Sequence, residues 1–334
     1  MVRLSPAVLF YPFPTSRYSA ACCNLIYSIT MRLIRPFEIL FLLGAVLAGV
    51  AVSIWLAIWS PDALLRDPLP LYRQGAATSS PEITGDRQIR HIRLVGPEGE
   101  IIPFRVSLPA ELPIDPLPVL VIVSGFPGAT VDPIPQITHP GPNVIVSYQP
   151  PFEPDLRIET VSLFNIWQTR RVIYRMPEEV AALLAWTGRQ EWADRKRINL
   201  AGIGLGAAIL PAIRRRAAAT GQPVNASVFI NGGADIEELA GAGLGGIMGW
   251  LSGQMLRPLD PATHLPEISG PFLIINTPDN VAIPASARTV LEDLVPEPKT
   301  IAAVTRGTDN EETYVGRIVR ITQNWLIAQS ALAP

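Results

Sequence analysis

The chain has 334 residues, of which 48% are hydrophobic and 17% are charged, a composition that argues against intrinsic disorder. Lys and Arg number 27 against 29 Asp and Glu, so the formal net charge is -2. Proteins that bind nucleic acid usually carry a basic excess, and no nucleic-acid partner is therefore expected. The length suits one large domain with an appendage, or two domains.

A long apolar segment near the N-terminus predicts a membrane anchor. Residues 39–59 contain Ser53 as their only polar side chain, and at ~1.5 Å per helical residue they span roughly 30 Å, the thickness of a bilayer core. This length favours an uncleaved, single-pass signal anchor over a cleaved signal peptide, whose apolar region is usually about 7–15 residues. A buried core helix is the alternative.

The charges beside this segment predict its orientation. Arg32 and Arg35 lie directly before it, and basic residues close to a membrane span are retained in the cytoplasm. The N-terminus is therefore expected in the cytoplasm and the main domain outside it, in the periplasm if the cell is Gram-negative. Small residues also recur at four-residue spacing along the segment, which predicts self-association through one helix face; they are Ala45, Gly49, Ser53 and Ala57.

The predicted organisation has four parts: a cytoplasmic N-terminal segment (1–36), the anchor (37–60), a Pro/Ser-rich tether (61–85) and a globular domain (86–334). Within the globular domain, apolar patterning and turn residues predict strands at 91–95, 101–107, 119–123, 143–148, 197–201, 226–230, 271–275 and 300–304. Helices are predicted at 160–186 with a break near Pro177, after residue 206 to about 219, at 285–294 and at 316–328. This alternation predicts an α/β fold with a mainly parallel sheet and helices on both faces.

The glycine-rich stretch 232–269 separates two of these strands and carries an apolar helical stripe. It is interpreted either as a mobile lid or as a helix packed on the body of the domain.

Three segments of the domain carry recognisable patterns: VLVIVSGFPG (119–128), ADRKRINLAGIGLGAA (193–208) and LPEISGPFLIINTPDNVAIP (265–284). On these segments, residues 85–334 resemble the α/β-hydrolase superfamily, particularly its esterase and prolyl-peptidase-like branches. The first is similar to the strand that ends in an oxyanion-hole motif, the second to the turn around G-x-S-x-G, and the third to the strand that carries the triad acid. The resemblance implies backbone oxyanion donors at Phe126 and Leu205.

The same comparison predicts a degenerate catalytic site. Gly204 stands at the nucleophile position, between the elbow glycines Gly202 and Gly206, and the acid position falls on Asp279 or Asn280. No histidine lies between 304 and 318, where the triad histidine is expected. The resemblance therefore implies a binding or scaffold role, with a carboxylate or acyl ligand as the candidate partner, rather than turnover.

The chain has three histidines, His91, His139 and His264, all upstream of that loop. His91 and His264 are interpreted as structural and His139 as structural or exposed at the surface, and His91 in particular is expected to lie far from the carboxyl edge of the sheet. No metal or cofactor is expected, because the acidic residues occur as adjacent pairs and the two cysteines, Cys22 and Cys23, lack zinc-ligand spacing.

Two alternatives stay open. An active serine-type hydrolase, an esterase or a peptidase, would need relocated catalytic residues, for which Ser124, Ser147 and Asp279 are the candidates. A dinucleotide-binding, Rossmann-like protein is suggested by the G-x-G-x-x-A pattern at 202–207, although the acidic residue expected about 20 positions later is missing.

Overall fold

The computed structural model describes residues 38–49, 51, 69–75, 80–125, 134, 137, 140–151, 166–278, 283–308 and 310–333. The chain divides into two compact units, residues 1–58 and 59–334. The described part of the first unit is one helix, α1 (38–49), and the remainder of the anchor segment lies outside the described residues. None of the helices in the described ranges is long and apolar enough to cross a membrane.

The described residues of the second unit form the strands and helices that hold the candidate site. The strands are β1 (Arg73–Gln74), β2 (Glu82–Thr84), β3 (Arg87–Val95), β4 (Ile101–Pro109), β5 (Leu117–Val123), β6 (Val144–Tyr148), β7 (Ala193–Ile203), β8 (Ser227–Ile230), β9 (Phe272–Asn276) and β10 (Lys299–Ala303). The helices are α2 (Ile166–Thr187), α3 (Leu205–Ala219), α4 (Ile236–Leu244), α5 (Gly246–Leu256), α6 (Pro261–His264), α7 (Ala285–Leu294) and α8 (Glu311–Ala328).

All of these strands belong to one sheet, in the order β1-β3-β4-β6-β5-β7-β8-β9-β10, with β2 also paired to β3. The strands from β5 to β10 run parallel, whereas β1 to β4 pair in antiparallel fashion. The sheet is therefore mixed, and it contains more antiparallel pairing than the mainly parallel sheet that was predicted. The short turn between β3 and β4 is the reason, since so short a connection joins only antiparallel strands.

Buried apolar residues line both faces of the parallel strands. On β5, Val119, Val121 and Val123 face one core cluster, which includes side chains of α2, α3 and α7. Leu120 and Ile122 face the opposite cluster, which includes side chains of α8. The predicted layering of helices on both faces is confirmed, and it explains why these strands read as continuous apolar runs.

Helix α2 runs through Pro177 without interruption, so the predicted break at this proline is wrong. An interior proline costs a helix about 3 kcal/mol because it lacks an N–H and clashes with the preceding turn. Met176 and Val180 on either side are fully buried, and their packing offsets that cost.

The stretch predicted as a lid or a packed helix contains a close helical hairpin of α4 and α5. A Cβ on Gly249 would lie 2.6 Å from the Cα of Gly241, and one on Gly253 would lie 2.6 Å from the Cα of Glu237. These glycines let the two helix backbones touch. Met255 of α5 is buried while Trp250 is exposed, so the hairpin is packed on one side; its proposed motion as a lid stays a prediction.

The two ends of the sheet differ. Strand β10 spans five residues, and the ammonium of Lys299 at its start donates to the carbonyl oxygens of Glu292 and Val295. At the other end, the described residues that pair with the outer side of β3 are the two of β1 and the three of β2, which fall within the predicted tether.

Candidate functional site

A tight turn on the carboxyl edge of the parallel strands joins β7 to α3 at Gly204. Its backbone has φ 58° and ψ −115°, a conformation that costs a non-glycine residue about 1–3 kcal/mol. The Gly204 N–H donates to Ile230 O at 2.9 Å, and its carbonyl accepts from Ala208 N–H at 3.0 Å. A Cβ at Gly204 would meet no atom of the described residues within 4 Å. A side chain placed here would therefore point into open space above the sheet.

The glycines on either side of this turn allow a very close approach between helix and sheet. A Cβ on Gly206 would lie 2.2 Å from the carbonyl oxygen of Val123, and one on Gly202 would lie 2.5 Å from the carbonyl oxygen of Gly206. Real Cβ atoms do not approach backbone oxygens so closely. Only glycine at these two positions lets α3 begin directly over β5 and β7.

Leu205 begins α3, and the first N–H groups of a helix have no partner within it. The end of β5 lies against this point, because a Cβ on Gly125 would be 3.2 Å from the Leu205 nitrogen and 3.1 Å from Ile203 O. The start of a 15-residue helix and the end of a buried strand thus meet beside the open space at Gly204. Phe126, the other predicted donor, lies outside the described residues.

Two buried serines end neighbouring strands at this edge. Ser124 is fully buried and its N–H donates to Tyr148 O at 3.0 Å, while Ser147 lies in β6 and is 3% exposed. Neither hydroxyl has a hydrogen-bond partner among the described residues. The described histidines therefore do not activate either serine through a direct hydrogen bond.

The histidines divide into three cases. His264 is buried in α6 with Nε2 2.7 Å from Pro258 O, which agrees with the structural interpretation. His139 lies outside the described residues. His91 corrects the prediction that it is remote from the carboxyl edge: it pairs with Arg105, which in turn pairs with Ser147, one residue before the end of β6. Strand β4 lies between β3 and β6 and pairs with both, and this register brings the middle of β3 level with that edge.

A polar cluster joins the carboxyl ends of β8 and β9 to α8. Asn231 has φ 50°, its carbonyl-type Oδ1 accepts from the Thr277 N–H at 3.0 Å, and its amide donates to the Tyr314 hydroxyl at 3.3 Å. The hydroxyls of Thr277 and Tyr314 also hydrogen-bond each other. The described residues between β10 and α8 include no histidine. Asp279 and Asn280, the predicted acid positions, lie outside the described residues.

A second polar cluster lies behind β6 against α2. The Tyr148 hydroxyl donates to Glu179 Oε2 at 2.6 Å, and Arg175 Nε lies 3.3 Å from Glu179 Oε1. Burial is the largest influence on both titrating groups: it raises the pKa of the Glu179 carboxyl, against the lowering effects of Tyr148 and Arg175, and raises the pKa of the Tyr148 phenol. The fold therefore favours the neutral form of Glu179.

We expect Glu179→Gln to remove part of the pH dependence of stability. The folded-state pKa of Glu179 lies above its ordinary value of 4.5, so the folded chain holds the proton longer than the unfolded chain does. The stabilising effect of the protonated Glu179 is present at low pH and is lost as the pH rises from the ordinary pKa of 4.5 through the higher folded-state pKa. In that range the free energy of unfolding falls by at most about 1.4 kcal/mol per pH unit because of this group. Urea unfolding from about pH 4 to pH 8 measures this slope.

Glu178→Gln is the matched control, because Glu178 is the neighbouring, half-buried carboxylate, bonded to the Tyr72 hydroxyl at 3.2 Å. It should leave most of the slope in place, because the charge of Glu178 is only a minor cause of the raised Glu179 pKa and burial is the largest. Glu179→Gln with an unchanged slope would show that burial of this carboxyl does not set the pH response.

No protein-family model matches the chain, and no curated protein matches it in sequence. Solved structures match its backbone. Acetyl xylan esterase 1 from Thermoanaerobacterium sp. matches with a TM-score of 0.56 and 11% identity, over 79% of this chain and 92% of the esterase. An acetyl xylan esterase from Paenibacillus sp. R4 gives 0.55 and 16%, over 78% and 92%. Acylaminoacyl peptidase from Pyrococcus horikoshii gives 0.51 and 15%, over 72% of this chain and 41% of the peptidase.

The chain has an α/β-hydrolase fold. At these identities the likeness concerns the fold and leaves activity open. The strand order, in which antiparallel strands precede β5, differs from the all-parallel Rossmann order that opens on its glycine-rich turn. The Rossmann-like prediction is therefore wrong as to fold.

Sequence reasoning missed two features of this α/β-hydrolase-fold site. The cross-strand row of His91, Arg105 and Ser147 depends on the register of three strands; the alternation of His91 and Arg93 along β3 was the only signal. The Asn231, Thr277 and Tyr314 cluster joins residues far apart in sequence, and no local pattern marks it.

Proposed function

We propose that this protein is a membrane-anchored binding or scaffold protein of the α/β-hydrolase fold, which holds a carboxylate or acyl ligand at Gly204 without hydrolysing it. The observation that carries the proposal is a turn of φ 58° and ψ −115° between strand and helix that has no side chain and no atom of the described residues close above it. In hydrolases of this fold, the residue on that turn is the nucleophile. Glycine keeps the turn and lacks the reacting atom.

The backbone around Gly204 supports binding of a negatively charged or carbonyl oxygen. The Leu205 N–H lies at the start of α3, where the helix dipole adds positive character. Phe126 would supply a second N–H, as half of an oxyanion hole. Because no described residue fills the space above Gly204, a ligand group can approach these donors more closely than a serine side chain would allow.

The missing groups argue against efficient turnover. An oxyanion hole alone retains about 10³–10⁴-fold acceleration over water, whereas loss of nucleophile or base costs about 10⁶-fold in such enzymes. Of the two described histidines, His264 bonds to a backbone carbonyl and His91 lies on β3, four strands away from β7 in the sheet order.

The membrane part of the proposal rests on sequence. Residues 39–59 are apolar apart from Ser53 and follow a basic flank, so the bilayer is the expected partner and the main domain is expected outside the cytoplasm. Contact between copies would use the small-residue face, to which Ala45 and Gly49 belong.

A second candidate function is an active hydrolase with a relocated nucleophile. Ser124 favours this candidate, because its buried hydroxyl lacks a hydrogen-bond partner among the described residues. The residue also directly precedes Gly125, which lies against the start of α3. Asp279 would be its acid. Ser147 is the other candidate serine.

The test uses the full chain in detergent, octanoate as an acyl probe and a fluorophosphonate as a serine-nucleophile probe. Octanoate should bind saturably, and Gly204→Gln should weaken binding at least about tenfold, equivalent to about 1.4 kcal/mol, by filling the space. Gly85→Gln is the control: Gly85 also has positive φ, at 61°, with nothing within 4 Å, but lies between β2 and β3. No fluorophosphonate labelling is expected.

Two results would overturn the proposal. One is the absence of saturable octanoate binding. The other is fluorophosphonate labelling and ester cleavage that are both lost in Ser124→Ala or Ser147→Ala, which would establish the second candidate instead.

A further inference from the structure

A groove of about 480 Å³ opens on the antiparallel side of the sheet, apart from the Gly204 turn. Its lining includes His91, Arg93, Pro103, Arg105, Ser147 and Pro150. The turn lies on β7, whereas these side chains belong to β3, β4 and the end of β6, with β5 between. A volume of this size accommodates a small organic molecule.

The register of the strands places the basic residues together. His91 is opposite Arg105, and Arg105 is opposite Ser147, so the three form one row across β3, β4 and β6. Arg93 lies two residues beyond His91 and opposite Pro103. Because side chains alternate along a strand, Arg93 shares the face of His91.

Charge and hydrogen bonding in the groove favour an anion. Two guanidinium groups and one imidazole line it, and no acidic side chain appears among its described lining residues. The Ser147 hydroxyl is a further donor: the residue is 3% exposed, and the hydroxyl has no hydrogen-bond partner in the described structure. A buried hydroxyl without a partner is unusual in a native protein and calls for a ligand or a solvent molecule.

We propose that this groove binds an organic anion, with its carboxylate or phosphate group held by Arg93 and the Ser147 hydroxyl. The guanidinium fork matches the two oxygens of either group, and Pro103 and Pro150 provide an apolar surface for the body of the molecule. This site is separate from the ligand site proposed at Gly204 and does not depend on it.

The experiment measures binding to the full chain in detergent by calorimetry. The probes are benzoate and phenyl phosphate, which separate a carboxylate from a phosphate ligand, and neutral benzamide. At least one anion should bind saturably while benzamide does not. Arg93→Gln should weaken that binding at least about tenfold, because it removes one charge-assisted contact, and Ser147→Ala should weaken it to a smaller degree.

Arg90→Gln is the matched control. Arg90 lies on the same strand but on the opposite face, where its guanidinium donates to Gln88 Oε1, so it removes an equal charge without touching the groove. It should leave binding unchanged. Equal weakening by Arg90→Gln and Arg93→Gln, or no saturable binding of either anion, would overturn the proposal. So would binding that is lost in Gly204→Gln and retained in Arg93→Gln, since the anion would then occupy the Gly204 site.

Discussion

Gly206→Ala should destabilise the fold by at least about 3 kcal/mol, the upper end of the usual cost of overpacking. The new methyl carbon would lie 2.2 Å from the carbonyl oxygen of Val123. Val123 pairs with both Tyr148 and Gly202 in the centre of the sheet, so its carbonyl cannot move without disturbing three strands. A small local shift therefore cannot relieve the steric clash at this position.

Urea unfolding followed by circular dichroism measures the loss, or, if the variant does not accumulate, its soluble yield does. Gly316→Ala is the control, because Gly316 lies inside α8 with nothing within 4 Å of an added Cβ. That change should stabilise the protein by up to about 1 kcal/mol, the difference in helix propensity. A Gly206→Ala variant as stable as the parent would contradict the close approach of α3 to β5.

The second large effect is expected at Asn199, a fully buried amide in β7. Its Nδ2 donates to the carbonyl oxygens of Val119, Arg197 and Ala331 at 3.2, 3.1 and 2.9 Å. Asn199→Ala leaves these acceptors without their side-chain donor and opens a small cavity. We expect a loss of about 2–4 kcal/mol, combining unsatisfied polar groups with lost packing.

The same variant should loosen the segment after α8. Ala331 is held by Asn199, and Ala333 both accepts from and donates to the side-chain amide of Asn143. Hydrogen exchange at 329–333 should therefore rise in Asn199→Ala. Asn225→Ala, which removes only the donor to Asn199 Oδ1 at 3.1 Å, should cost about 1 kcal/mol. Unchanged exchange and unchanged stability in Asn199→Ala would contradict this role.

Local sequence pattern predicted the central elements well because their burial is local in origin. The continuous apolar runs at β5 and β6 require cover on both faces, and the glycine pattern before α3 allows a very tight turn that other residues would not. The predicted bounds of α7, 285–294, agree with the structure. The sequence was sufficient to predict those elements whose burial and turns are determined by a short stretch of chain.

Features that depend on distant partners were missed or misread. Helix α2 continues through Pro177 because the neighbours of this proline are buried against the sheet. The free energy of this tertiary packing is not part of local helix propensity, so the sequence pattern did not predict it. His91 looked remote because the level of β3 relative to β6 is fixed by the register of both strands with β4 rather than by spacing in the sequence. The Tyr314 cluster likewise depends on how the ends of three elements meet.

The unequal ends of the sheet have a consequence for association between folded copies. A long, flat outer strand offers its unpaired peptide groups as a template for aggregation. Here β10 is only five residues long and begins at a charged lysine, while β3 is screened in two places by short strands. Within the described residues, neither edge strand offers a long row of unpaired peptide groups, which protects the folded domain against addition of further strands from other copies.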